Sequence, residues 1–150
     1  RRQRQMCIRD SCVYFILWLG AWDQLLGNYN GICIMSLGFM MSRCLSGIGV
    51  ITFPKARTDG TVAEFSRNAS EIAVRNVLIT MFVILAALMI WVDPVLGVLA
   101  AVSALLVFWW YHYMALKYFG GTTGDLSGFF LCICEVVMAL VLALGGTFNL

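Results

Sequence analysis

The chain has 150 residues, 61% of them hydrophobic and 12% charged, with a formal net charge of +2 and a mean hydropathy of +0.88. Soluble domains sit nearer half apolar and a quarter charged, so this composition asks for lipid as solvent and excludes an ordinary soluble globule. The small net charge, with no Lys/Arg-rich patch interleaved with aromatics, argues against nucleic acid as a partner.

At the start of the chain, residues 1–11 have neither the apolar core nor the cleavage site of a signal peptide. They resemble the adapter-derived translations found at the ends of environmental sequence reads. With Arg1 rather than Met in first place, the expectation is a piece of a longer protein whose residues 1–11 are not native. Apolar runs that cross the hydrocarbon core need about 17–25 residues. Five runs are candidates: 12–26, short of that length and interrupted late by Asp23; 31–53, carrying Arg43; 76–92, purely aliphatic and able to begin within the preceding helix; 94–119, opened by Pro94; and 128–146, carrying Glu135. Between the second and third runs, Val62, Phe65, Ala69 and Ile72 recur at helical spacing, while Glu64, Arg67 and Glu71 fall elsewhere. That pattern predicts a short amphipathic helix lying on the membrane surface. The expected fold is therefore all-α: a polytopic membrane bundle of about five transmembrane helices plus one interfacial helix, forming a single domain over 1–150.

Two crossings separate the 54–75 connection from the 120–127 loop, which puts both on one side. Nine of the ten Lys and Arg residues then share that side, and Arg43 is inside the membrane. Without the four in residues 1–11 the asymmetry is still five to none, which makes that face cytoplasmic. On this face the triplet Asn68-Ala69-Ser70 is no glycosylation site. Trp91 on one side and Trp109-Trp110-Tyr111 on the other read as interfacial belts, with His112 packing beside the second. The six cysteines have no zinc spacing and read as small buried hydrophobes; Cys132 and Cys134 project from different sides of a helix.

One polar, glycine-rich stretch is lodged between long apolar segments: Phe119-Gly120-Gly121-Thr122-Thr123-Gly124-Asp125-Leu126-Ser127-Gly128. Its glycines let the backbone take positive φ and approach a ligand closely. The hydroxyls of Thr122 and Thr123 and the Asp125 carboxylate would lie over the N-terminus of the next helix, where free N–H groups favour a phosphate. A plain helix–loop–helix turn, with Asp125 or Ser127 as N-cap, explains the same residues without a ligand.

The charges inside the spans are the second signal. Arg43 lies ten residues before Phe53, about 15 Å below the cytoplasmic surface at ~1.5 Å per residue, and Glu135 lies eight residues past Ser127, about 12 Å below it. Opposite charges at similar depth are expected partners, and a charge within a span is a functional candidate by default. A buried pair that only fixes helix packing is the plain alternative. With Ser42 beside Arg43, and Arg57, Asp59 and Gly60 just beyond the second span, Asp125 completes a cytoplasm-facing set of guanidiniums and carboxylates. Arg binds phosphate bidentately and carboxylates hold Mg²⁺, so the set suits a polyphosphate with a divalent cation.

The stretch from Gly120 to Asp125, followed by Gly128 and Glu135, resembles the C-terminal signature of cobalamin synthase, the adenosylcobinamide-GDP ribazoletransferase family. Upstream, Ser42-Arg43 and then Pro54-Lys55-Ala56-Arg57-Thr58-Asp59-Gly60 resemble that family's Ser-Arg helix and its Pro-x-Ala-Arg-x-x-Gly exit, in the right order. The resemblance implies an enzyme of the bacterial cytoplasmic membrane that joins adenosylcobinamide-GDP to α-ribazole or its 5′-phosphate. GMP leaves, Mg²⁺ assists, and the step assembles the lower ligand of adenosylcobalamin. It further implies phosphate or nucleotide contacts at Arg43, Arg57 and Asp59, and close backbone approach along Gly120, Gly121, Thr122, Thr123 and Gly124. Asp125 becomes a metal or ribose contact, and Glu135 orients Arg43. The family's aspartate-rich N-terminal motif is absent, so the chain is expected to be the second half of such an enzyme and inactive alone. Phe129 stands where the family prefers Ala.

A transporter or channel subunit is the competing class, with intramembrane charges lining a pathway. It would need a polar stripe across the whole membrane, whereas here the outer half is aliphatic. A purely structural membrane fragment is the third; it predicts that Arg43, Arg57, Asp125 and Glu135 do not converge. A homo-oligomer is compatible with every one of these readings.

Overall fold

A computed structural model describes residues 2–53, 71–122 and 124–147. Five helices follow one another: α1 (Arg2–Leu25), α2 (Tyr29–Thr52), α3 (Glu71–Val92), α4 (Pro94–Phe119) and α5 (Gly124–Thr147). Among the described residues, α2 to α5 each contain a stretch long and apolar enough to cross a membrane. The expected first span, 12–26, is not among them: at 15 residues it is shorter than these four stretches, and Asp23 interrupts it near its end. The amphipathic helix expected before Ile72 lies outside the described residues, apart from its last turn, which opens α3.

Local chemistry explains the boundaries. The Asn28 side chain caps α2, its Oδ1 accepting from the Gly31 N–H at 3.2 Å. Asp93 caps α4 by accepting from the amides of Val95 and Leu96 at 3.0 and 3.1 Å, with Pro94 in the first turn, where its missing N–H costs nothing. At the far end of α4, Gly120 takes φ 66°, and the amides of Gly120 and Gly121 both turn back onto the Ala115 carbonyl. A side chain at Gly120 would be strained there, so this glycine ends the helix cleanly.

The antiparallel seam of α2 and α5 forms the middle of the bundle. Its register runs from Ser46 against Ser127, through Ser42 against Glu135, to Gly38 against Met138. Gly38 matters here because a Cβ would already touch the Met138 thioether at 3.4 Å, so the helices approach closely. α3 flanks α2, α4 flanks α5, and α1 lies chiefly along α5 although it precedes α2 in the chain. Ile34, Met35, Met41, Met89, Leu96, Phe130, Met138 and Leu142 fill the core. α3 is the most peripheral span, and its outward Val77, Val83 and Ile84 suit lipid contact.

Two expectations about packing change. Trp91 and Trp109 are exposed at 84% and 72%, as belt residues would be, but Tyr111 is not part of a belt. It is buried, stacked on Phe130 at 4.8 Å between ring centroids, with its hydroxyl bonded inside the protein. Cys44 and Cys134 are buried as expected, whereas Cys12 and Cys132 are exposed.

Candidate functional site at the α2–α5 seam

Glu135 is the hub. Its carboxylate Oε1 accepts from Arg43 Nη2 at 3.3 Å and from Ser42 Oγ at 3.4 Å, while Oε2 accepts from the Tyr14 hydroxyl at 3.4 Å. Three helices thus converge on one carboxylate: α1 through Tyr14, α2 through Ser42 and Arg43, and α5 through Glu135 itself. The single Ser42 hydroxyl proton is shared between Glu135 and the Phe39 carbonyl, the latter the shorter contact at 2.9 Å, which fixes its rotamer. An unpaired carboxylate among apolar helices would be costly, and these donors offset that cost.

The ion pair is lopsided. The Glu135 side chain is 9% exposed and that of Arg43 is 64% exposed. A guanidinium has five N–H donors in a planar fork. Only Nη2 is engaged with Glu135, so the outer edge of the fork can take a second anion, and phosphate is the geometric match. The pair anticipated from depth alone is therefore present, with Glu135 orienting Arg43 and leaving most of it open.

One helical turn nearer the Phe53 end, Ser46 Oγ and Ser127 Oγ lie 2.6 Å apart and buried. This contact ties the start of α5 to α2. Between the α5 row facing α2 and the row facing α1 runs a strip bearing Gly124, Gly128 and Cys132, all exposed and four residues apart. A Cβ added at Gly128 would meet nothing within 4 Å, so the strip is an open floor of bare backbone leading down to Glu135. Asp125 is exposed in the first turn of α5, at the mouth of that strip.

The glycine loop departs from expectation in one respect. Gly120 and Gly121 do take positive φ, at 66° and 150°. Thr122, however, is 2% exposed, and its Oγ1 lies 2.6 Å from the Tyr111 hydroxyl. Its hydroxyl is spent on tying the loop to α4 and is not offered to a ligand. A tyrosine one helical stretch before a Gly-Gly-Thr turn is the only sequence trace of this tie. Thr123, Arg57 and Asp59 lie outside the described residues. Of the residues expected to converge, Arg43 and Glu135 are joined in an ion pair, and Asp125 is exposed in the first turn of α5. Among the described residues, no three His, Cys, Asp or Glu side chains are grouped as a metal cage.

Sequence reasoning did not single out Tyr14 and Ser46, and it read Ser127 only as a candidate N-cap and Tyr111 only as a belt residue. Hydroxyls scattered through apolar spans give a weak signal, and only the helix pairing reveals their partners.

A bundle of membrane-length helices with a half-open acid–guanidinium pair beside a bare-backbone strip defines the class: a polytopic membrane protein with a candidate site for an anion. The chain belongs to the cobalamin-5-phosphate synthase family, whose model it matches over residues 10–143. It is similar to a protein of Lachnoclostridium phytofermentans named adenosylcobinamide-GDP ribazoletransferase, with 39% identity over 137 residues. That match covers 90% of this chain and 52% of the relative, so the chain spans about half the length of the curated relative it matches. No solved structure matches the chain.

Proposed function

We propose that this chain supplies the second half of an adenosylcobinamide-GDP ribazoletransferase, working at the cytoplasmic face of a bacterial inner membrane. The observation that carries the reading is the Arg43–Glu135 pair, buried on the acid side and open on the guanidinium side. Family membership and the named relative support the same direction. In the reaction, a ribose hydroxyl oxygen of α-ribazole, or of α-ribazole 5′-phosphate, attacks the cobinamide-side phosphorus of the diphosphate and gives up its proton to water. The new P–O bond forms as the bond to the GMP phosphate breaks, and GMP leaves with the electron pair. Negative charge grows on the departing phosphate, and a guanidinium held in place beforehand stabilises it without reorganising.

Each residue then has a part. Arg43 grips the diphosphate with the N–H groups that Glu135 leaves open. Glu135, Ser42 and Tyr14 keep that guanidinium pointed at the strip. Gly120, Gly124 and Gly128 let a bulky phosphate approach the backbone. Mg²⁺ commonly binds through one or two carboxylates plus substrate phosphates, and the exposed Asp125 fits that role without a full protein cage. When bound, the ion would neutralise charge on the bridging phosphates. Arg57, Asp59 and Thr123 complete the phosphate contacts in this proposal.

The test is genetic. A full-length chain containing residues 1–150 should rescue cobalamin synthesis in a bacterium lacking the transferase. Asp125→Asn and Arg43→Leu should each abolish rescue while the proteins still reach the membrane. Rescue by both variants at wild-type level would overturn the assignment.

A further inference from the structure

Beside the ion pair, α1 and α5 enclose a groove of about 560 Å³. Its walls come from Ser11, Val13, Tyr14 and Phe15 on one helix, and from Phe129, Cys132 and Val136 among others on the other. The volume lies within the ~300–1,000 Å³ typical of small-molecule sites, and such sites are mostly apolar with a few placed polar groups. We propose that this groove binds the aromatic base of the ribazole acceptor, so that its ribose emerges beside Glu135 and Arg43. The inference rests on the transferase reading above and adds a subsite to it.

Three features argue for a base with an attached sugar. First, the groove is aromatic at both walls: Phe129 faces the Tyr14–Phe15 pair, whose rings meet edge-on at 5.4 Å and 74°. Flat ligands gain from such faces and edges beyond simple burial. Second, the groove has one polar limit. Tyr14 lines it and also donates to Glu135 Oε2, so the apolar space ends where the charged cluster begins. An amphipathic nucleoside matches that gradient, whereas an acyl chain would leave the polar end unused. Third, the floor between groove and ion pair is low. Gly128 leaves open space, and Cys132 is the small side chain that the groove shares with the exposed α5 strip. A sugar can cross there toward a diphosphate held by Arg43.

The experiment uses the full-length protein containing residues 1–150 in lipid nanodiscs, titrated with α-ribazole and followed by the fluorescence of its base. Saturable binding is expected. Cys132→Trp and Val13→Trp, which fill the groove from opposite walls at exposed positions, should each weaken it at least tenfold. Cys132→Ala should change it less than twofold, and the free base without ribose should compete. Circular dichroism identifies any variant that fails to fold. No saturable binding by the folded chain, or uptake that scales only with lipid as for acyl-chain occupancy, overturns the proposal; so does unchanged affinity in both Trp variants. Arg43→Leu should leave α-ribazole affinity within twofold. Should Arg43→Leu keep full genetic rescue while the Trp variants lose binding, the phosphate role of Arg43 fails and the base site stands.

Discussion

The two halves of the α2–α5 seam are built from the same two helices in one antiparallel register, yet they hold together differently. Toward the Phe53 end, Ser46 meets Ser127 and Glu135 gathers Ser42, Arg43 and Tyr14. Toward the other end, Gly38 lets Met138 in, and Leu142 and Met35 pack with no polar partner. In lipid, apolar packing carries no hydrophobic driving force between helices, so the apolar half relies on close fit and the polar half on hydrogen bonds. The comparison teaches that the polar half is stable enough to be fixed, but is loaded with groups that packing alone would not require. That surplus is what marks it as the working half.

Breaking the hub should have the largest effect. Glu135→Ala removes the anion that holds the Arg43 guanidinium and the acceptor of the Tyr14 hydroxyl, while Ser42 keeps the Phe39 carbonyl. Arg43 is 64% exposed, so no buried charge is stranded; hydrogen bonds to a charged group are worth about 1.5–3 kcal/mol, and the loss here is expected at about 2 kcal/mol. Thermal unfolding in detergent should register that loss, together with loss of genetic rescue.

Met138→Ala tests the apolar half. Its side chain is fully buried, and large-to-small core changes cost about 2–5 kcal/mol, here near 2 because the unfolded reference remains in lipid. Rescue per folded molecule should stay close to wild type, in contrast to Glu135→Ala. Equal functional damage from both changes would erase the distinction between the halves.

Tyr111→Phe removes one short hydrogen bond to Thr122 and keeps the stacked ring. About 1 kcal/mol is expected, with faster hydrogen exchange confined to the loop around Gly121. The smallest effect belongs to Ser46→Ala, at about 0.6 kcal/mol, the average worth of a hydrogen bond between membrane helices. A loss above 2 kcal/mol there would show that the serine contact, and not the ion pair, anchors the polar half.

Hydropathy is written along one dimension, so the chain by itself determined the all-helical class and, of the five spans expected, the four that are long and apolar enough to cross, with most of their ends. Asp93-Pro94 and Gly120 set boundaries by backbone chemistry that needs no neighbours. α5 begins at Gly124, one turn earlier than its apolar run, because Gly-Asp-Leu-Ser reads as loop until Ser127 finds Ser46. Depth arithmetic matched Arg43 with Glu135 because both lie at a countable distance from one surface. What tertiary structure alone decided was direction around each helix: that Tyr14 points at Glu135, that Thr122 turns inward to Tyr111, and that Arg43 stays open while Glu135 is enclosed. Those outcomes depend on which helices become neighbours, and α1 packing on α5 in preference to α2 is a matter of shape that no periodicity in the chain records.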